Sequence, residues 1–123
     1  MIVPFNVRDF LDRAESTYPG HLALVDEPEQ PTEPWPDLTF AELASRARRQ
    51  AAGLDRLGVG PGERVAVVSP NAARLLTCFF GVCGFGRILV PINFRLSAEE
   101  VEFIVEHAEA AVLLVDPELE EAL

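Results

Sequence analysis

The pattern of apolar and polar positions first predicts a short amphipathic helix and then a strand. Asn6 is a typical capping residue, and the apolar positions after it recur at helical spacing until Pro19, which predicts a helix over about residues 7–17. A short apolar run over residues 22–25 predicts a strand. Residues 26–36 are rich in acidic residues and proline, which cannot hold a regular hydrogen-bond ladder, so we expect an exposed loop there.

Two capping boxes predict where later helices begin. Thr39 and Glu42 have the spacing at which each side chain caps the backbone of the other, and the apolar stripe after them continues until Gly58. Ser97 and Glu100 repeat the spacing. We therefore expect one long helix after the loop and a shorter one near the end of the chain.

Three apolar runs predict the strands of the main sheet. The run over residues 64–69 is typical of a strand covered on both faces of a parallel sheet, residues 88–92 predict a further buried strand, and residues 111–115 predict the next strand. Between the first two, residues 72–85 carry apolar side chains around nearly the whole circumference of a helix, with Asn71 as the predicted cap. We expect this helix to be buried on most sides.

Strands and helices thus alternate from residue 21 to the end, with short connections. Such alternation, joined by right-handed crossovers, produces a mostly parallel sheet covered by helices, so the predicted fold class is α/β. A chain of 123 residues suits one modest core. We expect residues 1–123 to form a single α/β unit without internal repeats.

Composition and charge narrow the possible functions. The sequence is 49% hydrophobic and has 20 acidic against 10 basic residues, a formal net charge of -10 that repels phosphate backbones and makes nucleic acid an unsuitable partner. All ten basic residues are arginine. Any chemistry that needs a lysine amine as nucleophile, proton carrier or phosphate clamp is therefore excluded for this chain.

Neither a membrane span nor a secretory signal is expected. The longest apolar run, residues 75–85, has about half the length that a bilayer crossing needs. The first ten residues contain Arg8 and Asp9 and no sustained apolar stretch, so we expect a cytoplasmic protein.

The cysteines and histidines match no metal or redox motif. Cys78 and Cys83 are five positions apart on one predicted helix, where reduced, packed thiols are expected. His21 and His107 have no metal-like neighbours in the sequence. We expect no metal site.

Two glycine clusters raise the question of a phosphate-binding loop. They are Gly58, Gly60 and Gly62, and Gly81, Gly84 and Gly86. A phosphate loop leaves a strand and enters a helix, so that free N–H groups point at the anion, whereas both clusters leave a helix and enter a strand. We interpret them as turn glycines with positive φ.

The connections after successive strands are the places where a ligand would bind such a sheet. They are residues 69–71, 93–97 and 116–117. Asn71 and Ser97 also suit helix capping, so a structural role and a substrate contact both stay open. No catalytic, cofactor-binding or metal-binding residue is assigned.

Clusters of like charge are interpreted as solvated surface. Glu99 and Glu100 lie in the first turn of the helix after Ser97, where negative charge is favourable. Pro117 predicts the start of a last helix, and its first turn contains Glu118, Glu120 and Glu121. The basic ones, Arg46, Arg48 and Arg49, are expected to be exposed and to pair at helical spacing, with a partner contact as the lesser alternative.

Several motifs, in order, resemble the start of adenylate-forming enzymes. The matching segments are LTFAEL at residues 38–43, GVGPGERVA at residues 58–66, the Gly86 turn before Val90-Pro91, and PINFRL at residues 91–96. Phe40 stands where the family motif has tyrosine. The last segment is similar to acyl-CoA synthetases rather than to amino-acid-activating domains, so the chain resembles the N-terminal portion of an AMP-forming acyl-CoA synthetase.

This resemblance implies a reaction for the parent enzyme. Such enzymes join a carboxylate, here a fatty or related acid, to the α-phosphate of ATP with Mg²⁺, and then transfer the acyl group to coenzyme A. Their phosphate loop, ribose-binding aspartate and catalytic lysine lie downstream of the matched motifs. The resemblance therefore implies an inactive, truncated chain, without cofactors of its own, that partners the remainder of the ligase.

Two alternative functions would require other features in the sequence. A stand-alone α/β interaction module without catalysis would close its own sheet with polar faces, whereas a fragment would leave apolar surface and self-associate, as the helix with Phe79 and Phe80 suggests. A flavodoxin-like nucleotide binder needs a phosphate turn after the first strand, but residues 21–26 lead into glutamate and proline.

Overall fold

The computed structural model describes residues 5–123, which form four α-helices, five strands and two short 3-10 turns. In chain order the helices and strands are α1 (Arg8–Thr17), β1 (Leu22–Leu24), β2 (Leu38–Thr39), α2 (Phe40–Arg56), β3 (Arg64–Val68), α3 (Ala73–Gly81), β4 (Ile88–Ile92), α4 (Ala98–His107) and β5 (Ala110–Val115). The turns are Cys83–Phe85 and Pro117–Leu119.

The main sheet is parallel and three-stranded, in the order β4-β3-β5. This confirms the predicted α/β class. β1 does not join this sheet, contrary to the expectation of one alternating series. It pairs antiparallel with β2 in a separate two-stranded sheet, because the loop between them returns the chain to Leu24. β2 was missed since two residues are too few to show an alternating pattern.

β3 is the centre of the core. On one face, Val65 and Val67 pack with residues of α2 and α3, and on the other, Ala66 and Val68 pack with Val101 of α4. The prediction of a strand covered on both faces is confirmed for β3. The prediction of a buried strand is wrong for β4, which lies at an edge of the sheet within residues 5–123 and begins with the half-exposed Ile88.

Local capping positions α2 and α4 as the sequence predicts, whereas the N-cap of α1 is Val7, one residue after the predicted Asn6. Both capping boxes, at α2 and at α4, are formed in full. At α1, Arg8 N donates to Asn6 Oδ1 at 2.9 Å, and Asn6 N donates to the carboxylate of Asp9 at 2.9 Å. These bonds satisfy N–H groups that have no partner inside a helix.

α3 departs from the prediction at both ends and on one side. Asn71 is not its cap. Instead, Ala73 N donates to Asp26 Oδ1 at 2.8 Å. The α-helix ends at Gly81 rather than residue 85, and Phe79 is 40% exposed, so burial on most sides was also wrong for that residue.

Asp26 also departs from the prediction of an exposed loop over residues 26–36. Its side chain is buried, with 7% of the residue exposed, while most of the loop after it faces solvent. The carboxylate accepts hydrogen bonds from the backbone N–H groups of Glu27, Trp35 and Ala73. A loop residue thus holds together the loop and the start of α3.

Candidate functional site

The carboxyl ends of β3 and β5 lie side by side and bring two polar residues together. Ser69 follows β3, and its Oγ donates to Asp116 Oδ2 at 2.8 Å, directly after β5. The backbone of Asp116 also donates to Val68 O at 2.9 Å, which extends the ladder by one bond. Two of the three connections expected at the ligand-binding edge therefore meet there.

Arg74 completes this buried cluster from α3. Its Nε donates to Asp116 Oδ2 at 2.8 Å, and its Nη2 donates to Gln30 Oε1 at 2.7 Å and to Asp116 Oδ1 at 3.3 Å. The side chain of Asp116 is fully buried. Burial raises the pKa of this carboxyl, but hydrogen bonds from Arg74 and Ser69 outweigh it, so the pKa lies below its ordinary value.

Sequence reasoning missed Arg74, although a signal was present. It is the only charged residue in the otherwise apolar sequence of α3, ARLLTCFFG. A lone charge on a largely buried helix needs a partner of opposite charge. The identity of that partner, 42 positions further along the chain, could not be read from the sequence.

A cleft of about 400 Å³ opens beside this cluster, between α2, α3 and the end of β5. Arg46 and Arg49 of α2 line it, together with Trp35 of the loop. The guanidinium of Arg46 lies over the Trp35 ring, 4.1 Å from its centroid. Within residues 5–123, neither Arg46 nor Arg49 forms an ion pair.

The other arginine of the basic cluster has a different role. Arg48 is exposed, as expected, but its partner Glu15 lies on α1 rather than at helical spacing on α2, so that part of the prediction was wrong. Nη1 and Nη2 donate to the two oxygens of Glu15 at 2.8 and 2.9 Å. This bidentate contact with Arg48 lowers the pKa of Glu15.

The remaining edge residues do not join the cleft. In the connection 93–97, Asn93 Oδ1 accepts from Arg95 N at 3.0 Å, which is a local turn contact. Asn71 lines a second cleft of about 470 Å³, formed with residues 24–28 and with α3. Glu118 contradicts the interpretation of the acidic residues as solvated surface. Its Oε2 is buried and has no hydrogen-bond partner in the part of the chain that the structure describes.

Some glycines of the two clusters form turns, and others allow parts of the chain to pack closely. Positive φ angles of 78°, 79° and 84° occur at Gly58, Gly62 and Gly86, which confirms the turn interpretation for these three. Gly81 instead allows α3 to approach α2, because a Cβ there would overlap Gln50 Oε1. Gly84 packs against Arg8 in the same way, since a Cβ would lie 3.1 Å from Arg8 Cβ.

Over residues 5–123, no group of three or more His, Cys, Asp or Glu side chains is placed to hold a metal ion. Cys78 and Cys83 are free thiols, and burial raises the pKa of Cys78, which makes its thiolate harder to form. No helix in the same range is long and apolar enough to cross a bilayer.

Comparisons with known proteins agree with this fold. Residues 11–123 match the family model described as AMP-binding enzyme. Over 114 residues the chain is 43% identical to a long-chain-fatty-acid–CoA ligase of Thermus thermophilus, covering 93% of this chain and 20% of that relative. The chain spans about a fifth of the length of the curated relatives it matches first.

Solved structures show the same arrangement. An anthranilate CoA ligase, AuaEII, in complex with anthranoyl-AMP superposes with a TM-score of 0.86 at 29% identity, over 100% of this chain and 22% of that one. The inhibitor-bound N-terminal domain of FACL13 from Mycobacterium tuberculosis superposes with a TM-score of 0.83 at 31% identity, over 95% of this chain and 28% of that one.

Proposed function

The chain belongs to the AMP-binding enzyme family and corresponds to the N-terminal portion of its acyl-CoA ligases, and from this premise we propose that its parent activates a fatty or related carboxylic acid with ATP and transfers it to coenzyme A. The observation that carries the proposal is the 43% identity to a long-chain-fatty-acid–CoA ligase over 93% of the chain. A cytoplasmic location is part of the same proposal.

We propose further that the 123-residue chain does not itself form an acyl adenylate. Adenylation creates negative charge that a cation or several N–H donors must stabilise, each contributing roughly 10²- to 10³-fold in comparable sites. The sequence contains no lysine. Both glycine clusters precede strands rather than helices, which leaves their N–H groups unsuited to a triphosphate.

The magnesium ion that such a reaction uses does not fit the described residues. Asp116 is fully buried and already holds Arg74 and Ser69, and Asp26 accepts three backbone N–H groups. Neither carboxylate is free for a hydrated cation, which needs several open oxygen ligands. No step of the reaction is therefore assigned to a metal on this chain.

The partner in this proposal is the remainder of the ligase. Large apolar side chains stand exposed on several sides, with Ile88 at one edge strand, Phe103 on α4 and Phe79 on α3. Burying a few hundred Å² of such surface stabilises association by about 25 cal/mol per Å². In the absence of the remainder, the same surfaces are expected to bring copies of the chain together.

The test compares the 123-residue chain with the longest protein that the same reading frame encodes. Both are incubated with ATP, Mg²⁺, coenzyme A and acids from acetate to palmitate, and pyrophosphate and thioester are measured. The expected result is acyl-CoA formation by the longer protein and none above the no-enzyme control by the chain alone.

Two outcomes would contradict the proposal. Turnover by the chain alone would refute its inactivity. A frame that ends at Leu123, with no activity restored by any co-expressed polypeptide, would favour the α/β interaction module instead.

A further inference from the structure

The cleft beside Asp116 has a charge opposite to that of the whole protein. Three guanidinium groups line it, those of Arg46, Arg49 and Arg74, against the single carboxylate of Asp116, whereas the chain as a whole has a net charge of -10. Asp116 is already engaged by Arg74 and Ser69. A local excess of positive charge inside a cleft concentrates anions there, since low-dielectric walls focus the field.

Arg74 adds an unsatisfied donor to this excess. Its Nε and Nη2 are hydrogen-bonded to Asp116 and Gln30, but its Nη1 is buried without a hydrogen-bond partner among residues 5–123. Buried donors are almost always paired in native proteins, and an unpaired charged one is costly. The bonds to Asp116 and Gln30 also hold the guanidinium in one orientation, which keeps its positive charge beside the cleft.

The rest of the cleft wall is largely apolar and aromatic. Val67 and Leu114 of the sheet line it, and so does Trp35, whose ring is held by Arg46. The volume of about 400 Å³ falls within the range of small-molecule sites. A few charged groups above an apolar wall are the usual composition of a site for an anion joined to a compact apolar body.

We propose that this cleft binds an anionic group, a carboxylate or a phosphate, attached to a compact apolar body. Arg46 and Arg49 bind the anion at the mouth, Arg74 supplies charge from the side of Asp116, and Trp35 packs on the apolar part. The occupant is a free small molecule, because an anion joined to a compact apolar body fits the arginines and the apolar wall together. The site lies in no segment to which we assign adenylation, so its test is independent of the acyl-CoA assay.

The test uses the single tryptophan of the chain as reporter. The indole N–H signal of Trp35 is followed by NMR while inorganic phosphate, benzoate or N-acetylglutamate methylamide is added at constant ionic strength with chloride. Arg49→Gln is the test variant, because this side chain is exposed and its loss leaves the buried cluster intact. Arg56→Gln is the matched control, with the same charge change on the same helix outside the cleft.

Saturable movement of the Trp35 signal by benzoate is expected, and inorganic phosphate, which has no apolar part, should bind more weakly. The dissociation constant should rise by about tenfold in Arg49→Gln, the usual loss for one charge-assisted contact, and stay within about twofold in Arg56→Gln. Tighter binding of the glutamate derivative than of benzoate would contradict a free small molecule as the occupant, and tighter binding of phosphate than of benzoate would contradict the apolar contact with Trp35.

Three further results would overturn the proposal. They are a signal that moves no more than with chloride, equal weakening in the two variants, or undiminished binding in Arg49→Gln. Thermal unfolding midpoints of both variants within a few degrees of the parent chain ensure that a lost signal reports binding rather than unfolding.

Discussion

Replacing Asp26 should destabilise the protein far more than a loop position suggests. The carboxylate accepts N–H groups from Ala73 at 2.8 Å, Trp35 at 2.9 Å and Glu27 at 3.0 Å. In Asp26→Ala the Ala73 N–H is left buried without an acceptor, while the other two can turn to water. Loss of a cap and of hydrogen bonds to a charged acceptor then costs about 3 kcal/mol, a large share of the 5–15 kcal/mol of a typical domain.

Asp26→Asn removes the negative charge of the side chain while keeping its size and shape. The amide keeps one acceptor oxygen and presents an N–H₂ group to a backbone donor, so a loss of about 1.5 kcal/mol is expected. Urea unfolding at pH 7 measures the stability of both variants. Asp37→Asn is the control, because Asp37 is exposed, follows the loop directly and carries the same charge. The control should stay within about 0.5 kcal/mol of the parent chain.

The dependence on pH provides a second check. Burial raises the pKa of Asp26, but the hydrogen bonds from Trp35, Ala73 and Glu27 outweigh it, so the pKa is lowered in the native state. A lowered native pKa means that the charged carboxylate stabilises the fold above its unfolded pKa of about 3.9, and that this contribution disappears as pH falls through the native pKa. The difference in the free energy of unfolding between the parent chain and Asp26→Asn should therefore become smaller below about pH 4. Equal stabilities of Asp26→Asn and Asp37→Asn at pH 7 would refute the reasoning. So would a difference between the parent chain and Asp26→Asn that stays the same in acid.

Three further predictions use other parts of the structure. Gly81→Ala should destabilise by about 1–3 kcal/mol, because its Cβ overlaps Gln50, whereas Gly53→Ala in the open interior of α2 should stabilise by about 0.5–1 kcal/mol. Urea unfolding of the pair tests this, and equal effects would contradict it. Asp116→Asn should cost about 3 kcal/mol by leaving Arg74 without its charged partner, and a loss below about 1 kcal/mol would count against a structural ion pair. Sedimentation velocity should show concentration-dependent association of the chain that Phe79→Glu weakens, and a monomer at all concentrations would argue against exposed docking surfaces.

Local patterns in the sequence were enough to locate most helices and strands. Two capping boxes, Thr39 with Glu42 and Ser97 with Glu100, are both formed. The two residues of each box lie close together in the sequence. The apolar run of β3 predicted a strand covered on both faces, and its neighbours in the core agree. These features depend on contacts between residues close in sequence, or on burial alone, so the one-dimensional pattern contains them.

The candidate site and the start of α3 could not be predicted in this way. The Asp26 carboxylate caps α3 from 47 positions away, and Ser69 meets Asp116 across the same separation. The sequence by itself determined the α/β class, the local caps and the excess of acidic charge. Only the tertiary structure decided the strand order, the ion pair of Asp116 and the arginine-lined cleft, because parallel strands far apart in sequence must first lie side by side before the residues at their ends can meet.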